Sequence, residues 1–67
     1  MASIYPNLDK EMAARKMSYR DLARVAGISN MQMYRRLRGT SRMQLEEAAK
    51  ICWHFDCPDV NSLFSRR

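Results

Sequence analysis

Glycine, proline, cysteine and histidine are all scarce in this 67-residue chain, which holds two, two, two and one of them respectively. With so few breakers and no strand-like alternation, the sequence reads as all helix, punctuated by short turns. The two cysteines, Cys52 and Cys57, stand in the stretch C-W-H-F-D-C. One pair cannot make a disulfide framework, and no apolar leader stands on either side of Lys10, so a reducing cytosol is the expected compartment. Cys52, His54 and Cys57 could offer three metal ligands. No fourth stands at zinc-site spacing, so the thiols read as core fillers and no metal or cofactor is expected. No apolar run approaches the roughly 20 residues that cross a bilayer, and no membrane partner is expected.

Acidic residues are missing from one long region, because none occurs between Asp21 and Glu46. Over residues 15–42 there are eight basic side chains (Arg15, Lys16, Arg20, Arg24, Arg35, Arg36, Arg38 and Arg42) against Asp21 alone, a local charge of +7. The remainder carries −2, so the overall +5 is regional. A basic region without relieving acids suits a surface that meets a polyanion such as DNA. An ordinary solvated face interleaves both signs.

A chain this short holds one domain with a thin core, burying roughly 60% of the surface its unfolded form exposes. Residues 1–67 are therefore read as a single unit with an ordered core over about 6–64. Four helices and a short fifth are expected. The first spans about 6–16, with Leu8 and Met12 one turn apart inside. Ser18 and Asp21 form a capping box that starts the second, flanked by Met17 and Leu22 at staple positions. Leu22, Ala23 and Ala26 are its buried stripe, and Gly27 supplies the left-handed stop.

The start signal recurs at once: Ser29 caps, Gln32 closes the box, and Ile28 with Met33 forms a second staple. A third helix over 30–38 follows, ended by Gly39. The fourth is expected over roughly 43–55, burying Leu45, Ala48, Ile51, Cys52 and Phe55. Pro58 breaks the chain, Asp59 caps a last short helix, and Val60, Leu63 and Phe64 close the core. The tail over 65–67 is expected to fray.

Two capped helices joined by a short glycine-containing turn are the supersecondary signature of a helix-turn-helix that binds double-stranded DNA. With Met33 and Leu37 facing the core, 100° per residue places Arg35 opposite them, and Met31, Gln32 and Arg38 in the outward arc. Arg pairs with guanine, and Asn or Gln with adenine, each worth about 1–3 kcal/mol of discrimination. Asn30, Met31, Gln32 and Arg35 are the candidate base contacts. Met31 could meet a thymine methyl or be merely exposed, and Gln32 is partly committed to its cap. Tyr19, Arg20, Tyr34, Arg38, Thr40 and Arg42, on the flanks, at helix starts and in the turn after the third helix, are candidate phosphate contacts. Arg36 reads two ways: a phosphate clamp, or a surface pair with Glu46 or Glu47.

The segment YRDLARVAGISNMQMYRRLRG resembles the Cro and lambda-repressor type of helix-turn-helix, with its small residue at Ala23, turn glycine at Gly27, and hydrophobics at Ile28 and Met33. The flanks PNLDKEMAARKMS and LEEAAKICWHFDCPDVNSLF are similar to those of small Cro-like regulators of phages and mobile elements. The sequence departs from that pattern where many relatives have a hydrophobic three residues after the Met33 position, since it has Arg36 there. The resemblance implies a compact five-helix domain of the lambda-repressor-like type, and a transcriptional regulator, a Cro-like repressor, that binds an operator as a homodimer.

The dimer interface is expected from the five-helix unit itself, with Trp53 foremost and Val60 and Phe64 beside it. Trp53 packed on its own last helix is the other reading, as is a plain packing role for Tyr5. An enzyme is not expected, because His54 stands without a nucleophile or acid pattern. The competing function is a helix-turn-helix scaffold that binds a protein, in the manner of an antitoxin or an inhibitor of a host protein.

Overall fold

The computed structural model describes residues 3–66, and these form five α-helices and no strand: α1 (Pro6–Ala14), α2 (Tyr19–Ala26), α3 (Asn30–Arg38), α4 (Leu45–His54) and α5 (Val60–Leu63). Leu8, Leu22, Met33, Leu37 and Ile51, drawn from four helices, are fully buried at the centre, and Phe55 and Leu63 close the core at the α4 and α5 ends. The all-α class and the five-helix order agree with the sequence reading.

Both expected capping boxes are present. Ser18 Oγ accepts from the Asp21 N–H at 3.4 Å while Asp21 Oδ2 accepts from the Ser18 N–H at 3.0 Å. Ser29 and Gln32 repeat the exchange at 3.1 and 3.0 Å. Each satisfies two first-turn donors that would otherwise lack a partner.

The four longer helices end alike. The residue after the cap turns left-handed, and the next N–H reaches back to a carbonyl five residues earlier: Met17 to Met12 (2.9 Å), Ile28 to Ala23 (3.0 Å), Thr40 to Arg35 (3.0 Å) and Cys57 to Cys52 (2.9 Å). This is the Schellman closure. Gly27 and Gly39 take its left-handed position at φ +75° and +85°, as expected. At α1 and α4 Lys16 (φ +53°) and Asp56 (φ +54°) do so instead. With no glycine to mark them, α1 was expected to run two residues too far.

Three further differences have physical causes. The fourth helix begins at Leu45 rather than 43, because the Glu47 side chain caps the Gln44 N–H at 3.1 Å. Leu45, expected in the buried stripe, is 76% exposed. Glu47 takes the inward position of that first turn, and Leu45, two residues earlier, is rotated about 200° away. Finally, the two ends of the chain pack. The Ile4 N–H donates to the Leu37 carbonyl at 3.0 Å, Tyr5 is buried edge-on to Phe64 (centroids 5.2 Å apart), and Asn7 Nδ2 donates to the Ser62 carbonyl at 2.8 Å. The tail expected to fray instead brings Arg66 beside Gly39, its Nη2 3.6 Å from where a Cβ would stand; Arg67 lies outside the described residues.

Candidate nucleic-acid interface

Helix α3 buries Met33, Arg36 and Leu37, and this fixes its rotation. Asn30, Met31, Gln32, Arg35 and Arg38 all face outward, with Met31 59% exposed. The candidate base-reading residues are therefore all open to solvent. Gln32 is restricted, because its Oε1 already accepts from the Ser29 N–H. One lone pair of that oxygen is taken, so the paired contact to adenine that Gln can make must share the atom with the cap.

Arg36 corrects one expectation. It is buried, and its Nε donates to Glu47 Oε1 at 2.6 Å while Nη1 donates to the Gln32 carbonyl at 3.2 Å. It is thus no phosphate clamp, and its pair with Glu47 is not a surface one. The same carboxylate oxygen accepts from the Gln44 N–H, so one acid ties α3 to the start of α4.

Beside α3, two tyrosines connect it to the start of α2. Tyr19 and Tyr34 pack edge-on at 5.7 Å, Arg20 lies over Tyr19 and Arg38 over Tyr34 at 5.7 Å each, and Arg38 Nη1 donates to Tyr34 Oη at 3.1 Å. Cation–π contact holds both guanidinium groups at the edge of the surface without neutralising them. Tyr19, Arg20, Asn30, Met31 and Tyr34 also line a shallow depression between the two helix starts. The sequence named these residues singly; their side-by-side packing depends on how α2 crosses α3.

Thr40 is exposed, but its hydroxyl and its N–H both donate to the Arg35 carbonyl, at 3.1 and 3.0 Å. Neither donor is left over for a phosphate in this conformation. Arg42 is exposed in the same turn, and Arg66 adds a cation there that sequence reasoning missed, 27 residues after Gly39. Arg15, counted within the basic region, is used elsewhere: it pairs with Glu11, lies 4.7 Å over the Phe55 ring and donates to the Phe55 carbonyl at 3.2 Å.

Two capped helices, α2 and α3, joined by a left-handed glycine turn make a helix-turn-helix, with Arg35 and Arg38 exposed on its second helix. Residues 7–60 match the family model of the Cro/C1-type HTH DNA-binding domain. The chain belongs to that family. No curated protein and no solved structure matches it significantly. As a Cro/C1-type domain it is a DNA-binding regulatory module, of a family that is typically non-enzymatic. The match takes in all of α1 but Pro6, the whole of α2 to α4, and the first residue of α5.

The tentative interface residues separate in this Cro/C1-type fold. Val60 and Phe64 share a groove with Leu45, Met43 and Arg42, whereas Trp53, 83% exposed, lines a different depression with Val25, Lys50 and His54. Trp53 does not pack on the last helix. No helix among the described residues is long and apolar enough to cross a membrane.

Proposed function

We propose that the protein is a cytoplasmic, sequence-specific repressor of the Cro type that binds its operator as a homodimer with α3 in the major groove. The observation that carries this reading is the exposure of Asn30, Met31, Gln32 and Arg35 on α3, in a region without acids between Asp21 and Glu46. Arg35 reads guanine through its paired donors, and Asn30 reads adenine. Gln32 adds a single bond and Met31 an apolar contact. Tyr19, Arg20, Tyr34, Arg38 and Arg42 hold the phosphates on either side, joined by Arg66.

The second copy covers the groove that holds Leu45, Val60 and Phe64. Arg42 and Thr40 line the same groove, so a partner seated there sets the two basic turns side by side over one stretch of duplex. The Cα extents of 26 × 23 × 23 Å, with side chains added, suit two protomers whose recognition helices enter successive major grooves about 34 Å apart.

Selection of bound duplexes from a random library, followed by a salt titration on the selected site, tests the proposal. The expected results are a two-fold symmetric site and a steep linear fall of log affinity with log salt. A flat salt response, or no enrichment of any sequence, would refute it.

A further inference from the structure

In a Schellman closure the residue that donates the long backbone hydrogen bond and the one that accepts it bring their side chains together. At α1 these are Met17 and Met12, and at α2 they are Ile28 and Ala23, the ordinary apolar pairing. At α4 the pair is Cys57 and Cys52, and both are free thiols. The Cys52 thiol donates to the Cys57 carbonyl at 2.9 Å, and the Cys57 thiol to the Asp59 carbonyl at 3.3 Å. The Cys52 sulfur therefore lies against the Cys57 backbone. A backbone hydrogen bond and a thiol–carbonyl hydrogen bond between the same two residues hold them side by side, as a disulfide requires.

We propose that Cys52 and Cys57 form a redox modification site, a dithiol that low-molecular-weight disulfides of the glutathione class oxidise to an intramolecular disulfide across the end of α4. The order of attack follows from burial. Cys57 is half-buried and Cys52 is buried. Burial, and then contact with Cys57, pushes the Cys52 thiol above its ordinary range. The Cys57 thiolate attacks one sulfur of oxidised glutathione, forming a mixed disulfide and releasing one glutathione thiol. Cys52 then loses its proton to solvent and attacks the Cys57 sulfur. The Cys57–glutathione bond breaks and a second glutathione leaves as thiol after taking up a proton. Two thiols of the protein are oxidised and one glutathione disulfide is reduced to two thiols.

The bond would join the end of α4 to the segment that leads into α5, beside the exposed Trp53. Its formation does not depend on the DNA-binding reading, and it is measured without DNA.

The test equilibrates the full reduced chain in glutathione buffers, alkylates the remaining thiols and weighs the intact protein and its 51–66 tryptic peptide. The expected product is a monomer lacking two hydrogens, with both cysteines in that peptide protected from alkylation. At a fixed ratio of oxidised to reduced glutathione, doubling the total halves the oxidised-to-reduced protein ratio, because two glutathione thiols are released; a mixed disulfide would leave it unchanged. Cys52→Ser is expected to trap a glutathione adduct on Cys57, and Cys57→Ser to stay reduced while folded. A wild-type protein that accumulates the adduct, forms covalent dimers, or stays fully reduced in buffers that oxidise dithiothreitol overturns the proposal. The wild-type peptide decides the matter even where a serine variant does not fold.

Discussion

Arg36 Nε and Glu47 Oε1 meet at 2.6 Å with both side chains buried, and the same oxygen caps the Gln44 N–H. A cation on α3 is thereby turned into a strut between α3 and α4. Removing one partner leaves a desolvated charge, so Glu47→Ala should cost about 3–5 kcal/mol in urea unfolding. The double change Arg36→Met with Glu47→Leu should recover most of that loss. It should also leave the salt slope of DNA binding unaltered, since Arg36 reaches no phosphate. A slope reduced by about one unit would place Arg36 at the backbone after all.

On the outward face, Arg35→Ala should weaken binding to the selected operator by about 1–3 kcal/mol and relax sequence preference at one base pair. Arg42→Ala should weaken every duplex alike and flatten the salt dependence. Competition with random DNA separates the two, and identical losses for both variants on both duplexes would contradict this division.

The left-handed positions make an ordered series. Gly39→Ala should destabilise more than Gly27→Ala. Both demand positive φ of a residue with a Cβ, at about 1–2 kcal/mol, but the new methyl at Gly39 meets Ile4 Cγ2 at 3.3 Å, whereas at Gly27 it finds only Lys50 Nζ at 3.7 Å. Lys16→Gly, at a site already left-handed, should raise the free energy of urea unfolding by up to about 1 kcal/mol.

Asp21 gives a pH dependence. Hydrogen bonds from the Ser18 backbone and hydroxyl hold its carboxyl below the usual aspartate value. A depressed folded pKa means that the stabilisation is present above the unfolded value, about 3.9, and is lost as pH falls through the folded one. Asp21→Asn should therefore lower stability at neutral pH, and the gap from wild type should close below about pH 4. A gap that persists at low pH would assign the effect to something other than charge.

Leu45→Glu should weaken self-association and operator affinity together, while Trp53→Ala should spare both, because the two side chains line separate depressions. Sedimentation with and without operator DNA distinguishes these outcomes. Loss of the dimer on Trp53→Ala alone would move the interface to the α2–α4 side.

The capped helices were legible because their signals are local. Ser18 with Asp21, and Ser29 with Gln32, satisfy donors within one turn, and a glycine at the next stop leaves little choice about where the chain bends. The ends of α1 and α4 carry the same closure on Lys16 and Asp56, whose side chains tolerate but do not announce it. The outward face of α3 was legible too, since the apolar Met33 and Leu37 set its phase.

The chain's own spacing thus determined an all-helical unit, the limits of its helix-turn-helix, and a basic region facing outward. Only the tertiary structure decided which cations are free. Arg36 is committed to Glu47, 11 residues away, and Arg15 to the carbonyl of Phe55, 40 residues away, whereas Arg66 is brought to the turn at Gly39. The reason is physical. Periodicity and capping act over one or two turns of helix, but a charge is spent or kept according to what the fold lays against it, and that depends on how helices distant in sequence pack.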